Sequence, residues 1–206
     1  MPLDLETYGS LRPFLYHGTA RSNRESIISD RALYSARALT RKDCSEQRLE
    51  PVRVKRGTFT IEIRDQRPLQ RGHVELTGGW SWETFLAAIN ERVFFWPGNE
   101  DGPIDYGRRQ IEAYRGSDQI ILRVKLFALL AANPGSPPYF CKFNSGGPRT
   151  VGGRKSPRGP ETFLSACRWS DIPSEVAEVS FVKKALLPAT TELWDDVGGC
   201  KQLFLE

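Results

Sequence analysis

Histidine, cysteine and methionine are scarce in this chain. Its 206 residues include two histidines, four cysteines and one methionine. Cys44, Cys141, Cys167 and Cys200 are widely separated with no CxxC pair, and neither His17 nor His73 has a Cys or His neighbour at zinc-binding spacing. That spacing argues against a structural zinc site, so no metal is expected. Long apolar runs are missing too. The longest, Leu126 to Ala132, is too short to cross a bilayer. Asp4 and Glu6 stand where a secretory leader would carry basic residues. The expectation is a cytoplasmic protein with reduced thiols and no membrane partner. There is also no GxSxG elbow, phosphate-binding GxxxxGK[ST] loop, HExxH pair or dinucleotide fingerprint. P-loop and zinc-protease chemistries therefore have no motif to rest on, and nothing marks a serine for a hydrolase triad built on His17.

What the chain has in quantity is arginine. Lys and Arg together number 29 against 25 acids, for a formal net charge of +4. Two regions carry the excess, Arg37 to Arg71 and the Gly-rich stretch from Lys142 to Arg158, the second without a single acid. Guanidinium forks match phosphate oxygens better than ammonium groups do. Nucleotide phosphates or a nucleic acid are thus candidate partners. An ordinary solubilising surface is the competing explanation.

Periodicity and turn signals predict mixed α+β architecture in one domain spanning residues 1–206. A first strand is expected over Pro13 to Tyr16. A helix should follow, capped by Thr19 or Ser22 with Glu25 closing a capping box. His17 would then stand where the strand ends and the helix begins. Residues 38–55 read as irregular, Thr58 to Ile63 as a strand, and Trp82 to Ile89 as a helix capped by Ser81. Arg92 to Trp96 is the clearest strand, with Pro97-Gly98-Asn99 expected to stop it. Tyr106 to Tyr114 should be helical and Gln119 to Leu126 extended. Tyr139 to Phe143, Thr162 to Cys167 and Val176 to Val182 should be short strands, with Asn144 to Pro160 a long loop. The total expected is six or seven strands.

Against that background, Tyr16-His17-Gly18-Thr19 resembles the first-strand motif of poly(ADP-ribose)-polymerase-like transferases and of NAD-dependent RNA 2′-phosphotransferases. Further blocks follow in consistent order: Ser26-Ile27-Ile28, Ile63 to Leu69, Asn90 to Trp96, Asn144-Ser145-Gly146, Pro157 to Phe163 and Val176 to Val179. Through these blocks the chain resembles an uncharacterised bacterial family (DUF7002-like), itself distantly similar to the DarT toxins that ADP-ribosylate DNA bases. The resemblance implies an ADP-ribosyltransferase-like fold, with a split central β-sheet and surrounding helices.

It also implies a reaction. NAD+ would be the co-substrate, and ADP-ribose would pass to a nucleic-acid, nucleotide or nucleoside acceptor, with an antitoxin or immunity partner conceivable. NAD-dependent RNA 2′-phosphotransfer and non-catalytic nucleotide or nucleic-acid binding are the alternatives. Cleaving the nicotinamide–ribose bond creates an oxocarbenium-like centre, which a nearby carboxylate stabilises. On this likeness Glu178 is the expected catalytic carboxylate, with Glu161 and Glu91 as competitors. His17, with Gly18 and Thr19, would hold the NAD ribose, and Arg92 would meet phosphates or assist catalysis. Phe95 or Trp96 would flank the nicotinamide. Asn144, Arg158 and Glu161 would face the acceptor. A structural histidine and a solvated Glu178 are the plain alternatives.

Overall fold

The computed structural model describes residues 2–40, 45–150, 152–194 and 200–204. Six helices are present among them: α1 (Leu5–Leu11), α2 (Arg24–Asp30), α3 (Ala36–Thr40), α4 (Trp82–Asn90), α5 (Asp105–Ala113) and α6 (Leu126–Ala132). The strands of the first half are β1 (Phe14–Ala20), β2 (Ala32–Tyr34), β3 (Val52–Arg56), β4 (Phe59–Ile63), β5 (Val74–Leu76), β6 (Arg92–Asn99) and β7 (Gly102–Pro103). Those of the second are β8 (Gln119–Lys125), β9 (Tyr139–Cys141), β10 (Ser156–Arg158), β11 (Glu178–Val182), β12 (Lys184–Leu186), β13 (Glu192–Trp194) and β14 (Cys200–Gln202). The fold is mixed α and β. An eight-stranded antiparallel sheet runs β14-β13-β8-β1-β6-β11-β9, with β7 on β6. Three two-stranded sheets surround it: β3 with β4, β2 with β12, and β5 with β10, the last pair parallel.

Strand alternation explains how the sheet is covered on both faces. Leu15, Val93, Phe95, Leu122, Val124, Val179 and Phe181 enter one large core, shared with Tyr8, Leu126, Leu129 and Trp169. Phe14, Tyr16 and Ile121 point the other way and pack with Trp96, Ile111 and Trp194. Helix α4 covers part of the sheet through Phe85, Leu86 and Ile89, whose spacing makes one apolar stripe. Its first turn is closed as expected, with the Thr84 N–H donating to Ser81 Oγ at 3.1 Å.

Several local expectations are corrected. Strand β1 does not end at Tyr16: Gly18, Thr19 and Ala20 pair with Ile121, Ile120 and Gln119. That ladder outcompetes the helix start, so His17 lies in mid-strand, and a 3-10 turn over Arg21–Asn23 precedes α2 without a side-chain cap. Pro97 does not stop β6, because its carbonyl still accepts from the Ile104 N–H at 2.9 Å and the strand runs on into a hairpin with β7. Thr162 to Cys167 is not a strand. Thr162 Oγ1 accepts the Gly159 N–H at 2.8 Å and folds a 3-10 turn, leaving one bridge between Phe140 and Leu164. Residues 38–55, expected to be irregular, contain the end of α3 and all of β3 but its last residue; residues 41–44 lie outside the described set. The expected loop over 144–160 contains β10. The strand count is fourteen among the described residues, because many strands are too short to leave a periodic signal.

One feature of the sheet positions the site. Strand β6 changes partners along its length. Its later residues, Trp96 to Gly98, pair with Tyr16 to Phe14, whereas Arg92 to Phe95 pair with Val182 to Val179 of β11. Beyond Tyr16 and Trp96, β1 and β6 are no longer paired, and the sheet splays open beside His17.

Candidate functional site

The splay opens into a cavity lined by His17, Gly18 and Thr19 of β1 and by Arg92, Val93, Phe94 and Trp96 of β6. Glu178 at the start of β11 joins them, as do Asn144 and Gly146. Arg48, Arg64, Gln66, Asn90 and Tyr114 complete its polar wall. Tyr16, at the last paired position, is anchored by its hydroxyl donating to the Asn99 carbonyl at 2.5 Å.

His17 spans the gap with its side chain. Its Nδ1 lies 2.8 Å from the Phe94 carbonyl. A carbonyl only accepts, so Nδ1 carries the proton and Nε2 is left with a lone pair. Burial pushes the imidazole down to about 4, helped by the Arg64 charge and partly opposed by the bond to Phe94. The ring is therefore neutral at physiological pH. It offers an acceptor for a hydroxyl proton and is too weak a base to remove protons efficiently.

Glu178 is buried, at 3% exposure. Its Oε2 accepts the Ser145 N–H at 3.0 Å and also the Ser145 hydroxyl. Oε1 has no partner among the described residues. Burial raises the carboxyl to about 7, against the lowering influence of both Ser145 bonds and of the Arg158 charge. Near neutrality this group is thus divided between its acid and its carboxylate. The strand puts it there: Val179 and Phe181 fill the main core, so Glu178 and Ser180 face the opposite side, and that side is buried rather than solvated.

Arginines surround the polar end of the cavity. Arg92 donates from Nη1 to the Ala88 carbonyl at 2.8 Å and stacks on Phe163 at 4.2 Å. Arg64 stacks on Tyr114 at 4.6 Å and donates to Gln119 Oε1 at 2.8 Å. Arg48 Nη1 and Gln66 Nε2 both donate to Asn90 Oδ1, at 2.6 and 3.0 Å. Burial depresses the pKa of Arg64 and Arg92, yet a guanidinium remains charged. Gly18 makes room for this cluster. A Cβ there would lie 3.2 Å from Arg64 Nη1, 3.3 Å from Ile121 and 3.6 Å from Trp96.

The cavity gathers His17, Gly18, Thr19, Arg92, Trp96, Asn144 and Glu178 from the residues expected in a site. Thr19 has its hydroxyl engaged, accepting from Asn23 Nδ2 at 2.9 Å. Phe95 does not line the cavity; it is fully buried in the main core against Phe181, and Phe94 stands beside Trp96 instead. Glu161 is an exposed residue paired with Arg168 at 2.6 Å, and Glu91 lies 4.0 Å from Arg37; neither lines the cavity. Arg158 is buried behind the wall, where Nη2 donates to the Asn144 carbonyl at 3.0 Å and the guanidinium stacks on Phe143 at 4.6 Å. It acts on the loop that carries Ser145. Arg48 and Tyr114 carry no sequence signal of their own beyond membership of Arg-rich or aromatic segments. Arg64, Gln66 and Asn90 fall inside the blocks that carry the family resemblance.

Among the described residues no group of three or more His, Cys, Asp or Glu is placed to hold a metal ion. No helix is long and apolar enough to cross a membrane. Cys141 is a buried free thiol and Cys167 an exposed one; Cys44 and the side chain of Cys200 lie outside the described set.

Fold and cavity together define an α+β protein with an arginine-lined polar site where a sheet splays. Its chain belongs to a family of unknown function, DUF7002, which it matches over residues 13–188. That span includes every cavity residue from His17 to Glu178. No curated protein and no solved structure was found to match it.

Proposed function

We propose that this protein is an NAD+-dependent mono-ADP-ribosyltransferase, with chemistry like that of the DarT toxins and an acceptor that is a nucleic acid, nucleotide or nucleoside. The observation that carries the reading is the meeting of a neutral, acceptor-type His17 with a half-ionised Glu178 in one arginine-lined cavity. The partner switch of β6 is the kind of split that an ADP-ribosyltransferase-like sheet requires.

The residues present fit the co-substrate. His17 Nε2 accepts from a ribose hydroxyl. Arg64 and Arg92, which line the cavity, would neutralise pyrophosphate charge, and Phe94 and Trp96 would give apolar surface for the nicotinamide. Glu178 in its carboxylate form stabilises positive charge developing at the ribose anomeric carbon. The bond that breaks joins that carbon to the nicotinamide nitrogen, and nicotinamide leaves neutral with the bonding pair. A lone pair on the acceptor then forms the new bond, and the acceptor releases one proton to solvent or to Glu178.

The test is to incubate the protein with labelled NAD+ and DNA, RNA, 2′-phosphorylated RNA, nucleotides and nucleosides, following free nicotinamide and acceptor mass. Transfer of an ADP-ribose mass that Glu178→Gln strongly reduces is expected. No NAD+ consumption with any acceptor sinks the reading; reaction only with 2′-phosphorylated RNA replaces it by phosphotransfer.

A further inference from the structure

Asn144 has the cavity on one side and a second, wider groove of about 940 Å³ on the other. This groove lies between α5 and the 142–158 segment. Exposed Arg109, Arg149, Arg154 and Lys155 line it. The acids nearby are largely spoken for. Glu175 also lines the groove but holds Lys142 Nζ at 2.5 Å, and Lys142 reaches Asp171 at 3.2 Å as well. Asp105 stands 3.9 Å from Arg109. Arg149, Arg154 and Lys155 have no ion pair among the described residues. Like charges gathered without counter-charges repel one another, and a polyanion relieves that repulsion.

A single phosphate group would need one such cation or two, not four. Nor would phosphate alone account for the aromatic surface among these cations. Tyr106 is 39% exposed on the same groove wall, and Phe143 also lines it. Cations tracking a backbone, with an exposed ring on which a base stacks, are the physical requirements for holding an unpaired strand. In a duplex the base faces are stacked on one another and unavailable to Tyr106.

We infer that this groove binds single-stranded nucleic acid, with backbone phosphates on Arg109, Arg149, Arg154 and Lys155 and a base on Tyr106. Because Asn144 lines both concavities, a strand in the groove is brought to the edge of the cavity. The inference deepens the transferase reading: the acceptor is a polymer strand, rather than a free nucleotide or nucleoside.

Binding is measured without NAD+, by fluorescence anisotropy with labelled single-stranded DNA and RNA 12-mers, a duplex of the same sequence, a mononucleotide and a polyglutamate peptide, across salt. The expected result is preference for single strands, weakening steeply with salt. The triple variant Arg149→Gln, Arg154→Gln, Lys155→Gln should lose at least about tenfold in affinity and flatten the log–log salt slope by about 2, the value for three single-strand phosphate contacts. Tyr106→Ala should weaken binding about fivefold or more with the slope unchanged. Should the triple variant fail to fold, as judged by its melting curve, the single variants Arg154→Gln and Lys155→Gln are used, each expected to reduce the slope by about 0.7. Equal or tighter binding of duplex or polyglutamate, absence of strand binding at low salt, or folded variants that bind like wild type would overturn the inference. Since NAD+ takes no part, these outcomes are independent of nicotinamide release, on which the transferase reading stands or falls.

Discussion

In the cavity at the sheet's splay, the imidazole and the carboxylate are walled in and their ionisation is displaced, His17 down to about 4 and Glu178 up to about 7. In the neighbouring groove, by contrast, four cationic side chains stand exposed around a tyrosine. The cavity is about 270 Å³ and the groove about 940 Å³. Buried ionisable groups interact more strongly with charge brought near them than exposed ones do, whereas exposed cations suit the recognition of an anion. The two regions share one wall. Arg158 holds the Asn144 carbonyl, and Ser145 holds Glu178. Position in the groove wall and position of the buried carboxylate are thus set by two consecutive residues, Asn144 and Ser145.

The largest expected effect breaks the cavity side. Glu178→Gln should lower nicotinamide release about a hundred- to a thousand-fold, the loss typical of a preorganised charge-stabilising group. In wild type, release should rise with pH around a midpoint of about 7, as the carboxylate forms. The same substitution carries a stability signature. The folded carboxyl titrates at about 7 against an ordinary value of 4.5, so its favourable contribution is complete below about 4.5 and is lost as pH rises through about 7. The neutral amide has no such loss. On going from pH 4 to pH 8 the Gln variant should gain about 3 kcal/mol relative to wild type, measurable by denaturant unfolding.

His17→Ala comes next. It removes the acceptor Nε2 and leaves the Phe94 carbonyl without the imidazole donor across the splay. The KM for NAD+ should rise about tenfold, and stability should fall by about 1–3 kcal/mol, the cost of a buried polar group left unpaired. The folded pKa of His17 lies below its ordinary 6.5, so its contribution to stability is present above pH 6.5 and is lost as pH falls through about 4. His17→Ala should therefore narrow its stability deficit in acid. A KM unchanged in a folded variant would reduce this histidine to a strut between two strands.

A smaller and more diagnostic change is Ser145→Ala. The backbone N–H of residue 145 still donates to Oε2, but the hydroxyl bond is gone, and both bonds favour the ionised carboxyl. The midpoint of the pH–rate profile should move upward by about one pH unit, with the limiting rate at high pH largely retained. A lower rate with an unmoved midpoint would make Ser145 a packing residue and not a positioning one.

Several elements and some of the residues around the cavity are legible in the sequence. The Ser81-capped helix, the Arg92 strand and Gln119 to Leu126 have strong local patterns, and they form. Tyr16-His17-Gly18-Thr19 and Glu178 could be singled out as residue types, but not their environment. The alternation of Val176 to Val182 is equally compatible with a solvated or a buried Glu178 face. Only the packing of β9, β11 and the Ser145 loop decides for burial. His17 was displaced from strand end to mid-strand because pairing with β8 is a long-range event invisible to a local capping signal. Likewise the splay depends on β6 exchanging partners between Phe95 and Trp96, a choice made by two other strands. Neighbouring aromatics in a strand must face opposite sides, yet which of Phe95 and Trp96 faces the cavity rests on the whole sheet.

The smallest expected effect sharpens the contrast between carboxylates. Glu161 lies near Arg158 in sequence and just ahead of a predicted strand, so it competes with Glu178 for the catalytic role on paper. In the fold it is exposed, its carboxylate paired with Arg168, and it lines neither the cavity nor the groove. Exposed ion pairs contribute at most about 1 kcal/mol. Glu161→Gln should leave nicotinamide release and the pH midpoint within twofold and about 0.2 pH units of wild type, and shift unfolding by less than about 1 kcal/mol. Steady-state release measured across pH decides the matter. A hundredfold loss in this variant, with Glu178→Gln still active, would move the reactive carboxylate out of the buried cavity and onto the surface, and with it the physical reason for placing chemistry at the splay.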